Sequence, residues 1–488
     1  MTDIWMKVGP LALRGLAAAI TAVAIAACTT VGPNYHAPVV AAPSAWGAEP
    51  QDVASGTVND SVDAQWWKSF HDPELNRLVQ RLAHQDLDFE TAAERVLQAR
   101  SQTKITAAAG LPQVDAKAQV VHERVSPGGT ASLEVAAPDA SAEFNDWTTG
   151  LSASWELDLF GRVRRSVEAA NASAITVVEA KHAIVLDGLA ELASDYLSLR
   201  GAQAREGVAR ANLVTAEDTL RLTRNRLKNG VGSNLDVSRA RAKQENIAAT
   251  LPALRTTEAR LINAIGLLLA ESPRSLEVEL TAAEAALPPV PPVVPVGLPS
   301  ELVRRRPDVR EAEAKLHLAT AQTGVAVAAF YPDISLTGTF GTEGLQFSNL
   351  FSLYDRSFSV GPSIDLPLFK GGRLKGTLHL RESAQREAAL SYKKTVLQAW
   401  RDVDDALTAY ANAQLQSRQL SAVVEDDKAA LTIARQQFAQ GTVSYLDLNT
   451  AQTSLLGSED ALIRSDLAIR TDLVSLYKAL GGGWDVAD

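Results

Sequence analysis

The chain of 488 residues carries a formal charge of −10 and a pI near 5.4, which argues against a nucleic-acid partner held by phosphate neutralisation. Hydrophobic residues make up 46% but aromatics only 6%, so the apolar share comes mainly from Ala, Leu and Val, a mix suited to long, closely packed helices. That length would hold several ordinary domains, and one extended object has to be argued from repeats.

Residues 1–27 read as an export signal, with Lys7 and Arg14 supplying positive charge and an apolar stretch free of acids from Leu11 to Ala27. Ile25, Ala26 and Ala27 lead into Cys28, the only cysteine, which rules out an internal disulfide framework. This spacing resembles the bacterial lipobox, so a covalent lipid on Cys28 is expected and no other cofactor or metal. Thr29 follows instead of an Asp, which by resemblance to lipoprotein sorting favours the outer membrane. No long charge-free apolar run comes after the signal, so any membrane span has to be a β-barrel.

Residues 28–70 read as a lipid-anchored tether, 71–286 as a first repeat, 287–299 as a Pro-rich join, 300–484 as a second repeat and 485–488 as a tail. The repeats overlay at an offset of 211: Val185, Leu189, Leu192, Tyr196 and Leu199 fall on Val396, Trp400, Val403, Leu407 and Tyr410. The 4, 3, 4, 3 spacing of both sets is a coiled-coil seam. The same shift carries Leu213, Leu220 and Leu227 onto Val424, Leu431 and Phe438. Elsewhere the offset drifts, to 220 for Leu111 and Pro112 against Tyr331 and Pro332, and to 209 for LDLF (157–160) against LPLF (366–369), as loop insertions would cause.

Each half carries one very long helix without an internal Pro, at about 162–229 and 373–440. At ~1.5 Å per residue each reaches roughly 100 Å, too long for a compact domain. Shorter helices are expected at about 74–109, 234–270, 300–329 and 445–480. Gly230 and Gly441 suit the left-handed position after a helix, and Ser233 and Ser444 suit N-caps, which makes two tight αα-hairpins.

Between the helices the period changes to two, over about 112–125, 146–159, 332–343 and 357–368. Val114, Ala116, Ala118 and Val120, for example, alternate with Gln113, Asp115, Lys117 and Gln119. A soluble sandwich would show the same alternation. Four strands cannot close a barrel, however, and open edges cannot sit in lipid, so copies of the chain must pool their strands. Two copies give a barrel filled by its own side chains, whereas a conduit needs three. The expected fold is therefore mainly α with a membrane β-barrel portion. Basic residues after the second strand of each pair, Arg162, Arg164 and Arg165 and then Lys370, Arg373 and Lys375, mark the handover from strand to helix. FKGGRLKGT lacks the residue order of a phosphate-binding loop.

VGPNYHAP (31–38), FHDPELNRLV (70–79), SWELDLFGR (154–162), LPSELVRRRPDVREAE (298–313), AAFYPDISLTG (328–338) and YKALGGGW (477–484) together resemble the TolC-like outer-membrane efflux proteins, in their lipid-anchored branch. The resemblance implies a homotrimer with a twelve-stranded barrel in outer-membrane lipid and a twelve-helix periplasmic tunnel. It also implies two partners, a periplasmic adaptor and an inner-membrane, proton-driven transporter. It places a gate carboxylate at Asp447, with Asp236 its counterpart in the first half, while Thr450 stands where some members carry a second acid. Capping remains the alternative for both acids, because Ser233 and Ser444 precede them by three residues. Arg226 and Lys228 could latch those acids or be solvated surface charges. The tips Gly230, Val231, Gly232, Ser233 and Leu235, and Gly441, Thr442, Val443, Ser444 and Leu446, would dock the adaptor.

Trp66 and Trp67 are expected to pack on the helical body, and Trp147 to act as an interfacial anchor. The seven His show no H-E-x-x-H and the chain no G-x-S-x-G, so no enzyme is expected. Two rival readings are a protein-secretion duct of the same fold and a periplasmic coiled-coil spacer lipoprotein; the spacer leaves the four strands unexplained.

Overall fold

The computed structural model describes residues 30–47, 53–124, 143–282 and 286–487; Cys28 and the export signal lie outside them. In chain order the elements are β1 (Gly56–Val58), α1 (Pro73–Gln85), α2 (Leu87–Ala108), β2 (Gln113–Arg124), β3 (Glu143–Glu156), α3 (Arg162–Lys228), α4 (Asn234–Ala248), α5 (Thr250–Leu268) and α6 (Glu277–Ala282). The second half follows with β4 (Val293–Pro295), α7 (Pro299–Arg305), α8 (Pro307–Ala328), β5 (Asp333–Gly344), β6 (Arg356–Asp365), α9 (Arg373–Gln440) and α10 (Tyr445–Ala479). The fold is mainly helical with a few strands, as the sequence patterns imply.

Three expected helices are each broken once. The first partner helix of each half divides at Asp86 and at Arg306, both extended at ψ 122° and 125°. Asp86 then caps α2 by accepting from the N–H groups of Asp88 and Phe89 at 2.8 and 2.9 Å, and Pro307 opens α8. These breaks sit 220 residues apart, the offset of the neighbouring turns, so they belong to the duplicated unit. The third break, between α4 and α5, has no counterpart in α10. Pro252 supplies the reason: it has no N–H to offer the preceding turn, and the position 211 residues on is Ile463.

The chain divides into two compact units. The first, made of residues up to 38, 97–175 and 313–390, holds the four-stranded sheet in the order β2-β3-β5-β6, every neighbouring pair antiparallel. The register aligns the period-two pattern across all four strands. Ala116, Leu151, Phe340 and Phe358 form one transverse row, and Val114, Ala153, Gly338 and Val360 another. Asp115, Ser152, Thr339 and Ser359 form a row on the opposite face. β3 ends at Glu156 and β6 at Asp365, each three residues earlier than the alternation suggests. Leu157, Asp158 and Leu159 instead make the turn into α3, where Asp158 accepts from the N–H groups of Val163 and Arg164.

The second unit, residues 39–96, 176–312 and from 391 on, holds the main hydrophobic core. Its centre is the predicted seam: Val185, Leu189, Leu192, Tyr196 and Leu199 of α3 and Val396, Val403, Leu407 and Tyr410 of α9 are all buried. Each such aliphatic side chain contributes roughly 1.5–3 kcal/mol on burial. Residues expected to form a tether are packed into the same core. Trp66 is 1% exposed, stacks on Tyr477 at 5.2 Å and donates its indole N–H to the Gly482 carbonyl. β1 pairs in parallel with β4, so the join at Val293–Pro295 and the N-terminal stretch hold each other through backbone hydrogen bonds.

Candidate functional site

Two places carry the chemistry: the hairpin tips and the sheet. Each long helix closes with the same double hydrogen bond. After α3, Gly230 N–H reaches the Leu227 carbonyl and Val231 N–H the Arg226 carbonyl; after α9, Gly441 N–H reaches Phe438 and Thr442 N–H reaches Gln437. Gly230 at φ 77° and Gly441 at φ 83° supply the left-handed step that this arrangement needs.

The next helices begin with the predicted caps. Ser444 and Asp447 form a reciprocal box: the Asp447 carboxylate accepts from the Ser444 hydroxyl at 2.7 Å and from its N–H at 3.0 Å, and Ser444 Oγ accepts from Asp447 N–H. Asp236 receives the Ser233 hydroxyl at 2.7 Å, and its own N–H donates to Ser233 Oγ. The hydrogen bonds from the Ser444 side chain, then its backbone, hold the Asp447 carboxyl below the usual carboxylate range. Thr450 turns its hydroxyl back to the Leu446 carbonyl at 2.9 Å.

Arg226 does not latch either acid within the chain. Its guanidinium donates to the carbonyls of Phe438 and Val231 and lies 4.7 Å above the centroid of the Phe438 ring. The carboxylates already have short-range partners in their own caps, whereas the carbonyls at the end of α9 need donors. Arg226 therefore braces the first turn against the end of α9. Of the two apolar turn residues, Val231 is exposed, while Val443 packs against a small cluster of Leu220, Ala240, Phe438, Tyr445 and Leu448. Leu235 and Leu446 are exposed as well.

Tyr445 is a tip residue that the sequence reading passed over. It is 2% exposed, meets Phe438 edge-on at 6.1 Å and buries its hydroxyl without a hydrogen-bond partner among the described residues. Burial, then the charge of Asp236, pushes that hydroxyl up to about 12, so it stays neutral. The sequence signal was available: an aromatic directly after the cap, facing Phe438 seven residues earlier.

The sheet's apolar face has no cover from the described residues of the chain. Val114, Val120, Leu151, Phe340, Phe358, Val360 and Ile364 are all more than half exposed. Among the described residues its edge strands β2 and β6 have no further strand beside them. Among the described residues no helix is long and apolar enough to cross a membrane. Trp147 meets Phe347 edge-on at 5.2 Å near one end of the sheet.

At the other end the first-half cations are paired: Arg162 with Glu156, Arg164 with Asp158, and Arg165 with Glu168. Arg165 also donates to Asn34 and to the carbonyls of Val31 and Gly32, which pins the VGPNY segment to the start of α3. His317 pairs with Glu168 and His182 with Glu179, while His71 meets the Ser69 carbonyl and His122 the Asn145 side chain. Among the described residues no group of three or more His, Cys, Asp or Glu is placed to hold a metal.

The sheet carries an exposed apolar face, the long helices come in a duplicated pair, and the family model for outer membrane efflux proteins matches residues 78–269 and 298–482. The chain belongs to the outer membrane efflux protein family. The two matched segments fall one in each half, as the internal duplication requires. The chain is 32% identical over 474 residues to outer membrane protein OprJ of Pseudomonas aeruginosa, covering 96% of each. It is 32% identical over 473 residues to the antibiotic efflux pump outer membrane protein ArpC of Pseudomonas putida, covering 96% of this chain and 95% of ArpC.

Among solved structures, the outer-membrane channel OprN superposes with a TM-score of 0.86 at 32% identity, covering 93% of this chain and all of OprN. The open state of the Neisseria gonorrhoeae MtrE channel does so at 0.79 and 29%, covering 93% and 99%. Efflux family members are outer-membrane ducts, not a family of enzymes, and this chain is an outer-membrane component of an efflux pump. A coiled-coil spacer has no counterpart of the sheet, and that reading is set aside.

Proposed function

We infer that three copies of this chain form one passive conduit, a twelve-stranded barrel continued by a helical tunnel, through which small molecules leave the cell. The observation that carries the reading is the four-stranded sheet with one apolar face exposed and both edges open. Small-molecule cargo is favoured over secreted protein, because relatives at about a third identity are named for antibiotic and toluene efflux. The chain itself contributes no chemistry to the cargo. Its periplasmic adaptor docks on the exposed tips around Val231, Leu235 and Leu446, and an inner-membrane, proton-driven transporter supplies the work.

Cys28 carries the lipid that keeps each copy at the outer membrane. Metabolic acyl labelling tests this: label should be lost in Cys28→Ala, and retention at the wild-type level would refute the anchor.

Asp447 gates the narrow end in this reading. Its pKa is lowered in the fold, so its cap is intact above the ordinary carboxylate range and is lost only as pH falls through the lowered value. At neutral pH three carboxylates converge on one axis and repel. Asp447→Asn should therefore change cation selectivity and block by multivalent cations in planar bilayers. Asp447→Ala combined with Asp236→Ala should raise the open fraction. Unchanged selectivity and block in assembled variants would leave Asp447 as a helix cap alone.

A further inference from the structure

The internal duplication yields two junctions of one kind, Leu157 to Phe160 after β3 and, 209 residues on, Leu366 to Phe369 after β6. At the first junction Phe160 stacks on Tyr331, with ring centroids 4.9 Å apart and planes inclined by 27°. Tyr331 stands two residues before β5, the strand that pairs with β3. At the second junction Leu368 and Phe369 are each 87% exposed, and among the described residues β6 has no strand beyond it. The other free edge of the sheet is β2. Leu111 precedes it by two residues, is the counterpart of Tyr331 at an offset of 220, and is 63% exposed. Every pair in the order β2-β3-β5-β6 is antiparallel, so β6 and β2 point in opposite directions, as an antiparallel pair between copies requires.

We propose that the Leu368 and Phe369 ridge of one copy packs against the Leu111 and Pro112 turn of the next, repeating between chains the contact that Phe160 makes with Tyr331 within one. The proposal rests on the three-copy reading above and assigns it a specific contact. A second copy is the occupant, not lipid, because the ridge continues directly from an edge strand whose free N–H and C=O groups only another strand can satisfy in a membrane. At the in-chain junction the last aromatic of the strand pair, the half-buried Phe160, stacks on the turn before the neighbouring strand. Leu111 offers an aliphatic surface where Tyr331 offers a ring, so the contact between chains is apolar packing and not a ring stack.

The test places the photo-reactive residue p-benzoylphenylalanine at position 369 of the full-length protein in outer membranes. Irradiation should give adducts at the mass of two and three chains, mapping to the peptide that contains Leu111. The same probe in place of Phe160 should give an adduct within one chain, at Tyr331. Adducts to phospholipid, or to another protein segment, from a particle with the mass of three protomers would overturn the contact and leave the trimer standing. A monomeric particle would overturn both. Leu111→Cys with Phe369→Cys, bridged by a short bismaleimide, reads the same contact if the probe at 369 prevents assembly.

Discussion

Asp195, half-buried on α3, shows how a single residue can work against the fold that holds it. Burial, and then the like charge of Glu191, pushes its carboxyl up to about 6. An acid whose folded pKa is raised costs stability wherever it is ionised: the cost is full above about pH 6 and vanishes as pH falls below the ordinary value of 3.8. Asp195 is only half-buried, and solvent screening reduces the cost to about 1 kcal/mol. Asp195→Asn should therefore raise the Tm at pH 8 by about 1 °C, because the unfolding entropy of so long a chain is large, and shift it much less at pH 4. A gain of equal size at both values would show that the charge is not the cause. The same scale corrects the latch. Arg226 was legible as a tip cation, but its partners are carbonyls and a ring on another helix, and such contacts leave no trace in local spacing.

Helix ends are where one element meets the next, and the duplication supplies its own control. Two residues past α5 stands Ala270, with φ 53°, and two past α10 stands Gly481, with φ 69°, 211 residues on. Both make the same pair of bonds, Ala270 to Leu267 and Glu271 to Gly266 in the first half, Gly481 to Lys478 and Gly482 to Tyr477 in the second. A left-handed alanine is strained where glycine is not, so Ala270→Gly should stabilise the protein by about 0.5–1 kcal/mol. Gly481→Ala should cost more than that gain, because its Cβ would also come within 3.0 Å of Arg306 Cγ. Thermal unfolding of the two variants checks the opposite signs; a loss of stability in Ala270→Gly would contradict the account.

The seam from Val185 to Leu199 was readable because coiled-coil spacing is local and repeats at 211. The break at Asp86 was not, since a helix pattern continues through it and only the extended backbone and its cap reveal it, whereas the break at Arg306 was signalled by Pro307, which disfavours helical backbone at the residue before it. That Trp66 packs on the helical body was expected from sequence, but its partner Tyr477 was hidden, because the two stand 411 positions apart.

At the scale of the whole molecule, the chain is one helix-and-strand unit written twice, and its sheet stops short of closure. The alternation along each strand was visible in sequence, and so was the need for more strands than one chain provides. The transverse rows, such as Ala116, Leu151, Phe340 and Phe358, depend on register and required the structure. They place apolar side chains in bands on one face, which a closed barrel would turn toward lipid. Closure is the central claim, and the mass of the particle extracted from outer membranes in detergent tests it most directly. Native mass spectrometry should find three protomers per particle, with one lipid-modified N-terminus on each. A monodisperse monomer that stays soluble without detergent would contradict the account.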